Sequence, residues 1–209
     1  MAVIRSSEIL VTGLASDEIR PLVIGIGGTA EPGSSTEVAL SLALAAAREA
    51  GAETRLFGGE ALSLLPHYLT PASREHEGGR ELVACIRRAE GVILASPGYH
   101  GSISGLVKNA IDYLEDTAKD ERPYLHGLPV GLIATAYGWQ AGGSTLAALR
   151  SIAHALRGWP TPFGAAINSS GGILKGGQCK DAAVAGQLAL VGQQVVELAE
   201  LRRGAAKLS

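Results

Sequence analysis

The sequence predicts an α/β chain: a doubly wound parallel sheet of five strands, in the order 2-1-3-4-5, with helices on both faces. Three observations predict it. Five short strand-like runs alternate with longer segments of helical period. The first run, LVIGIG, is continuously apolar rather than alternating, as a parallel strand covered on both faces requires. Stretches rich in glycine and hydroxyl residues follow the first, third and fourth runs, and in this strand order the loops after strands one and three lie side by side at the switch point where ligands bind.

Taken in order, Leu22–Gly27 is strand one and Gly28–Gly33 a loop. Ser35–Ala50 is a helix rich in Ala and Leu, closed by Gly51. Glu53–Phe57 is strand two. Residues 60–77 form a long connection with prolines and no clear period, a kind of loop that is usually functional or mobile. Residues 79–90 are helical, and Gly91–Ala95 (GVILA) is strand three. The chain then breaks at Pro97-Gly98 and restarts as a helix, with Ser102 as its N-cap. Ile103, Leu106, Val107, Ala110, Ile111 and Leu114 fall on one face of that helix. Pro129–Ala136 is strand four, 142–157 a helix, 161–168 strand five and 180–203 the final helix. Trp159-Pro160-Thr161-Pro162 reads as a turn into strand five.

A length of 209 residues suits one domain, residues 21–209, with 1–20 as an N-terminal arm or extension outside the repeating pattern. A net charge of −2 argues against a nucleic-acid binder, which would carry a basic stripe. The two cysteines, Cys85 in a helical pattern and Cys179 in a glycine-rich loop, give neither a disulfide framework nor metal spacing. No metal site is expected. No run reads as a membrane span, and the N-terminus lacks a signal peptide's pattern. The expectation is a cytoplasmic protein with no membrane or nucleic-acid partner.

Three loops carry the candidate site. In the first, Thr29, Ser34, Ser35 and Thr36 surround a helix N-terminus, where hydroxyls, backbone N–H groups and the helix dipole favour a phosphate monoester. Gly25-x-Gly27-x-x-Ala30 also fits a dinucleotide fingerprint, but Pro32-Gly33 delays the helix that should begin at the glycines. The second loop, Pro97, Gly98, Tyr99, His100, Gly101 and Ser102, offers close backbone, an aromatic and backbone donors to a planar ligand. His100 is a lone turn histidine rather than a base. The third loop contains Tyr137, Gly138, Gly142 and Gly143 and opens on the same sheet edge. No Ser–His–Asp set or carboxylate pair appears, so no catalytic side chain is assigned.

The segment PGYHGSISGLVKNAID, Pro97–Asp112, resembles the P-x-Y-x-G-S-x-x-G-x-x-K-N-A-I-D stretch of the NADPH-dependent FMN reductase family. The fit extends from about Arg20 to Ser170. The resemblance implies a flavodoxin-like flavoprotein fold, FMN and NADPH (or NADH) as cofactors, and a homodimer or dimer of dimers. It implies that Thr29 and Ser34 match the two serines of the family's S-x-R-x-x-S-x-N loop and that Thr36 replaces its Asn. Glu31 stands where that loop usually has Arg, and a carboxylate there repels phosphate. Lys108, Asn109 and Asp112 are read as salt-bridge and subunit-contact residues. The third loop resembles the family's G-x-x-G-G loop.

The expected activity is an NAD(P)H-dependent FMN reductase. Hydride passes from nicotinamide to flavin, a reaction that needs alignment of two rings more than a side-chain acid. Reduced flavin then serves a flavin-dependent monooxygenase or a small-molecule electron acceptor such as a quinone. The alternative is a non-enzymatic FMN-binding electron-transfer protein.

Overall fold

The computed structural model describes residues 20–206, so the proposed arm lies outside the described residues but for Arg20. The chain runs β1 (Leu22–Gly27), α1 (Ser35–Glu49), β2 (Glu53–Phe57), α2 (Gly59–Ser63), α3 (Pro71–Glu75), α4 (Glu77–Arg88), β3 (Gly91–Tyr99), β4 (Ser102–Ile103) and α5 (Gly105–Asp112). A 3-10 turn (Tyr113–Thr117) follows. Then come β5 (Pro129–Ala136), α6 (Trp139–Ala155), β6 (Trp159–Pro160), β7 (Ala165–Asn168), β8 (Leu174–Lys175), β9 (Gln178–Cys179) and α7 (Ala182–Ala206).

The main sheet has seven strands rather than five, in the order β2-β1-β3-β5-β6, with β4 on β3 and β7 on β5. The predicted order survives; the count does not. The fifth predicted strand, 161–168, is a strand only over Ala165–Asn168, and Trp159–Pro160, read as part of a turn, is a short strand of its own. Trp159–Pro160 pairs with Pro129–Val130, and Ala165–Asn168 pairs with Ile133–Ala136, both parallel to β5. Thr161 N–H still reaches the Val130 carbonyl, but Pro162 has no N–H to continue the ladder, so the chain bows out and returns at Ala165.

Other boundaries also move. Residues 60–77 contain two short helices, not an unstructured loop. Strand three does not break at Pro97-Gly98; it runs on to Tyr99, pairs there with β4, and turns through His100 and Gly101. The helix N-cap is Ser104, not Ser102: the Ser104 hydroxyl accepts from Val107 N–H at 3.2 Å. Gly142 and Gly143 lie inside α6, which starts at Trp139.

Successive strand residues point to opposite faces and build two cores. Leu22, Ile24, Ile26, Val92, Leu94, Val130 and Leu132 face α4, α5 and α6. Val23, Ile93 and Ile133 face α1 and α7. α7 meets the length and apolarity of a membrane span, with a window of mean hydropathy 1.2, contrary to the expectation above. Its apolar residues have a different use here: Leu188, Val191, Val195 and Val196 are buried against α1 and the sheet. A Cβ on Gly192 would lie 2.2 Å from the Ala43 carbonyl oxygen, so the two helices cross almost backbone to backbone.

Both cysteines are free. Burial, then the Glu81 carboxylate, pushes the Cys85 thiol up, which keeps it protonated and unreactive.

Candidate active site

The C-terminal ends of β1, β3 and β5 open into one cleft of about 350 Å³. Its floor and walls come from four segments. Thr29, Glu31 and Gly33–Thr36 form one wall, Pro97–Tyr99 a second, and Thr135–Tyr137 a third. Ser169, Leu174 and Lys175 close the fourth side.

The first wall is positioned by glycine. Gly28 adopts φ +134°, and a Cβ on Gly59 would sit 1.7 Å from the Thr29 carbonyl oxygen. The loop after β1 therefore lies flat on Gly58-Gly59, which only residues without side chains allow. Glu37 ties the same junction, its carboxylate accepting from Gly59 N–H at 2.7 Å. Ser34 caps α1: its hydroxyl accepts from Glu37 N–H, and its carbonyl from Val38 N–H. The N–H groups of Ser35 and Thr36 precede the first intrahelical bond and so have no partner within the helix. Gly33, at φ +68°, presents open space where a side chain would stand. Thr36 is buried, and its hydroxyl shares a 2.6 Å hydrogen bond with Thr135, which locks α1 to β5 under the cleft.

The second wall is a hairpin grown on the central strand. Tyr99 pairs with Ser102, and His100 and Gly101 both have positive φ (50° and 88°), the pattern of a type I′ turn. The Ser96 hydroxyl accepts from Ser104 N–H and donates to the Pro97 carbonyl, so the base of the hairpin is fixed from below. Gly98 serves packing: a Cβ there would lie 2.6 Å from the Thr145 hydroxyl of α6. Tyr99 is half exposed, with Tyr137 exposed across the cleft.

Of the residues singled out in the sequence, Thr29, Ser34, Ser35, Thr36, Pro97, Gly98, Tyr99 and Tyr137 line this cleft. His100, Gly101, Ser102, Gly138, Gly142 and Gly143 do not. The first three form or flank the turn beyond it, and the rest belong to the start of α6. Sequence reasoning missed Ser169, Leu174 and Lys175. The signal for the last two was Gly176-Gly177 between short alternating runs, a hairpin mark.

The helix after the cleft has structural duties. Lys108 and Asp112 form an i,i+4 ion pair. Asn109 accepts from Tyr68 N–H at 2.9 Å and donates to the Pro66 carbonyl at 3.1 Å, and the Tyr113 hydroxyl also donates to Pro66 at 2.7 Å. Together they pin the segment 64–70. Among the described residues no group of three or more His, Cys, Asp or Glu is arranged to hold a metal.

The hydroxyl-lined helix start, the open Gly33 and the flat Pro97–Tyr99 wall suit a ligand with a phosphate at one end and a planar ring at the other. The cleft volume falls in the usual range for small-molecule sites, roughly 300–1,000 Å³. A family model described as NADPH-dependent FMN reductase matches residues 21–171. An NADPH azoreductase of Bacillus sp. (strain OY1-2) is 36% identical over 87 residues, 41% of this chain and 46% of that protein. An FMN-dependent NADPH-azoreductase of Staphylococcus aureus (strain USA300) is 38% identical over 82 residues, 39% of this chain and 40% of that one. The chain thus matches less than half the length of these curated relatives. Among solved structures, the flavoenzyme NAD(P)H:(acceptor) oxidoreductase FerB of Paracoccus denitrificans has a TM-score of 0.69 at 21% identity, covering 86% of this chain and 97% of that one. A Streptococcus pneumoniae flavodoxin has a TM-score of 0.55 at 10% identity, covering 84% and 98%. At such identities the likeness establishes the fold, which is flavodoxin-like.

Proposed function

This chain belongs to the NADPH-dependent FMN reductase family, and on that premise we propose that it is an NAD(P)H-dependent flavin oxidoreductase. The observation that carries the reading is the pairing, in one cleft, of a hydroxyl-rich helix start with a rigid hairpin wall. The free first-turn N–H groups of Ser35 and Thr36 and the Ser34 hydroxyl, which accepts from Glu37 N–H and keeps its own hydrogen to donate, hold the phosphate of FMN, with Thr29 beside them. Pro97–Tyr99 lies along the ring edge, where backbone donors favour the charge of the reduced form. Tyr99 and Tyr137 offer stacking faces and keep water from the ring. When bound, FMN supplies the two-electron chemistry, taking hydride from NADPH or NADH and passing electrons to an acceptor. The chain's own part is to orient two rings and exclude solvent.

The acceptor is a small molecule such as an azo compound or quinone, or a monooxygenase that receives the reduced flavin. A second copy of the chain covers the exposed Leu64 and Leu69, at 67% and 69% exposure, beside the groove lined by His67, Tyr68 and Ile152. The test is the visible spectrum of the protein with FMN, recorded anaerobically before and after NADPH and then NADH. Enzyme-dependent bleaching of the flavin band is expected. Stable binding without bleaching would indicate an electron carrier, and no binding would overturn the reading.

A further inference from the structure

The fourth side of the cleft, which adjoins the start of α1, comes from a hairpin that the flavin reading does not by itself require. β8 and β9 form a separate two-stranded sheet, with Lys175 opposite Gln178 and Gly176-Gly177 as the turn, both at positive φ (60° and 75°). Leu174 is buried in the α1–α7 core, and the Ser35 hydroxyl donates to its carbonyl at 3.4 Å. This anchoring puts the next residue, Lys175, on the cleft beside Ser34, Ser35 and Thr36. The Lys175 side chain lies over Gly172, where a Cβ would be 3.2 Å from Lys175 Cε and 3.6 Å from its Nζ, and rotation of its flexible stem is what carries the ammonium to the α1 N-terminus. The same cleft contains one carboxylate, Glu31, on the first loop. Among the described residues lining the cleft, Lys175 is the sole cation, and none of the described ion pairs includes it.

We propose that Lys175 is the phosphate-recognition cation of this site, supplying from the β8–β9 hairpin the positive charge that the Glu31-bearing loop lacks. The proposal rests on the flavin reading above. A phosphate monoester at the α1 N-terminus carries close to two negative charges, and neutral hydroxyls with a helix dipole compensate only part of them. Glu31 adds repulsion. A lysine on a flexible stem can reach such a group as a point charge without fixed geometry. The ligand class is a flavin phosphate ester, in preference to the unphosphorylated flavin.

The test is fluorescence titration of FMN and of riboflavin against wild-type, K175A, K175R and the double variant E31R/K175A. Lys175 is exposed, so its replacement leaves the fold intact, which circular dichroism checks. K175A should raise the FMN Kd about tenfold, the scale of one charge-assisted hydrogen bond, and leave riboflavin unchanged. K175R should retain most of the affinity. E31R/K175A should recover it, because the cation has moved from the hairpin to the loop. An unchanged FMN Kd in K175A, or an equal loss for FMN and riboflavin, would overturn the proposal. So would an unchanged FMN Kd with a KM raised for NADPH and not NADH, which would assign the lysine to the nucleotide's phosphate. Wild-type protein that binds neither flavin would overturn the flavin reading, and this proposal with it.

Discussion

Two hairpins flank the cleft, and both turn through a two-residue loop with positive φ at each position. The β3–β4 hairpin is an outgrowth of the central strand, with its base bonded through Ser96 and Ser104. The β8–β9 hairpin stands apart from the main sheet, held by buried Leu174, the partly buried Ile173 and Cys179, and a long Ser35–Leu174 bond. The first extends a strand that is buried as far as Pro97, while the second takes its position from a helix far away in sequence. A ring needs a fixed wall, whereas a phosphate needs charge, which tolerates a looser one. On the proposed reading, the cleft divides these tasks between the two hairpins.

The largest effect should come from breaking the wall that both hairpins face. Gly59→Ala drives a methyl into the Thr29 carbonyl. It should cost about 3 kcal/mol in urea unfolding and abolish saturable FMN binding. Next come the turn glycines. Gly101→Ala and Gly177→Ala each force an alanine into positive φ, at about 1–2 kcal/mol. The comparison predicts different readouts: Gly101→Ala weakens FMN and riboflavin alike, Gly177→Ala weakens FMN alone. Equal behaviour of the two would erase the division of labour. Ser34→Ala and Ser104→Ala form a third pair, each removing an N-cap worth about 1 kcal/mol. Only Ser34→Ala should reduce the preference for FMN over riboflavin.

The smallest effect lies outside both hairpins. The Tyr68 phenol is pushed up to about 12, first by burial and then by its bond to Asp116. Its folded form holds a proton that the unfolded form releases near pH 10. Its contribution to stability is therefore complete below pH 10 and fades as pH rises toward 12. Tyr68→Phe should flatten that decline in thermal melts between pH 9 and 11.5.

The same contrast explains what could be read from the sequence. The alternation of strands and helices followed from apolar runs and helical periods, which are local signals, whereas strand order rested on the glycine- and hydroxyl-rich loops and on the family resemblance. The helix start at Ser35 was also local, since Pro32-Gly33 and a hydroxyl cap are neighbours in the chain. The extension of β3 through Pro97-Gly98 was missed because proline and glycine signal a break. Here Pro97 takes a place in the ladder beside Thr135, and Gly98 is small because α6 presses on it. The short strand at Trp159–Pro160 was hidden by Pro160 and Pro162, which fit a turn equally well. Lys175 was missed for another reason: Gly176-Gly177 marks a hairpin, but no local pattern reveals that residue 174 docks on residue 35.

That docking has a consequence for biosynthesis. The Ser35–Leu174 bond spans 139 positions, and the Gly192 crossing that seats α7 on α1 lies further on. At about 5–20 residues per second on the ribosome, the helix that begins the cradle waits on the order of ten seconds for the segments that complete it. In that interval its alanine face, Ala39, Ala43 and Ala47, is still uncovered. The nascent chain thus carries half of the candidate site well before the site is complete, and the first described helix is among the last to be sealed.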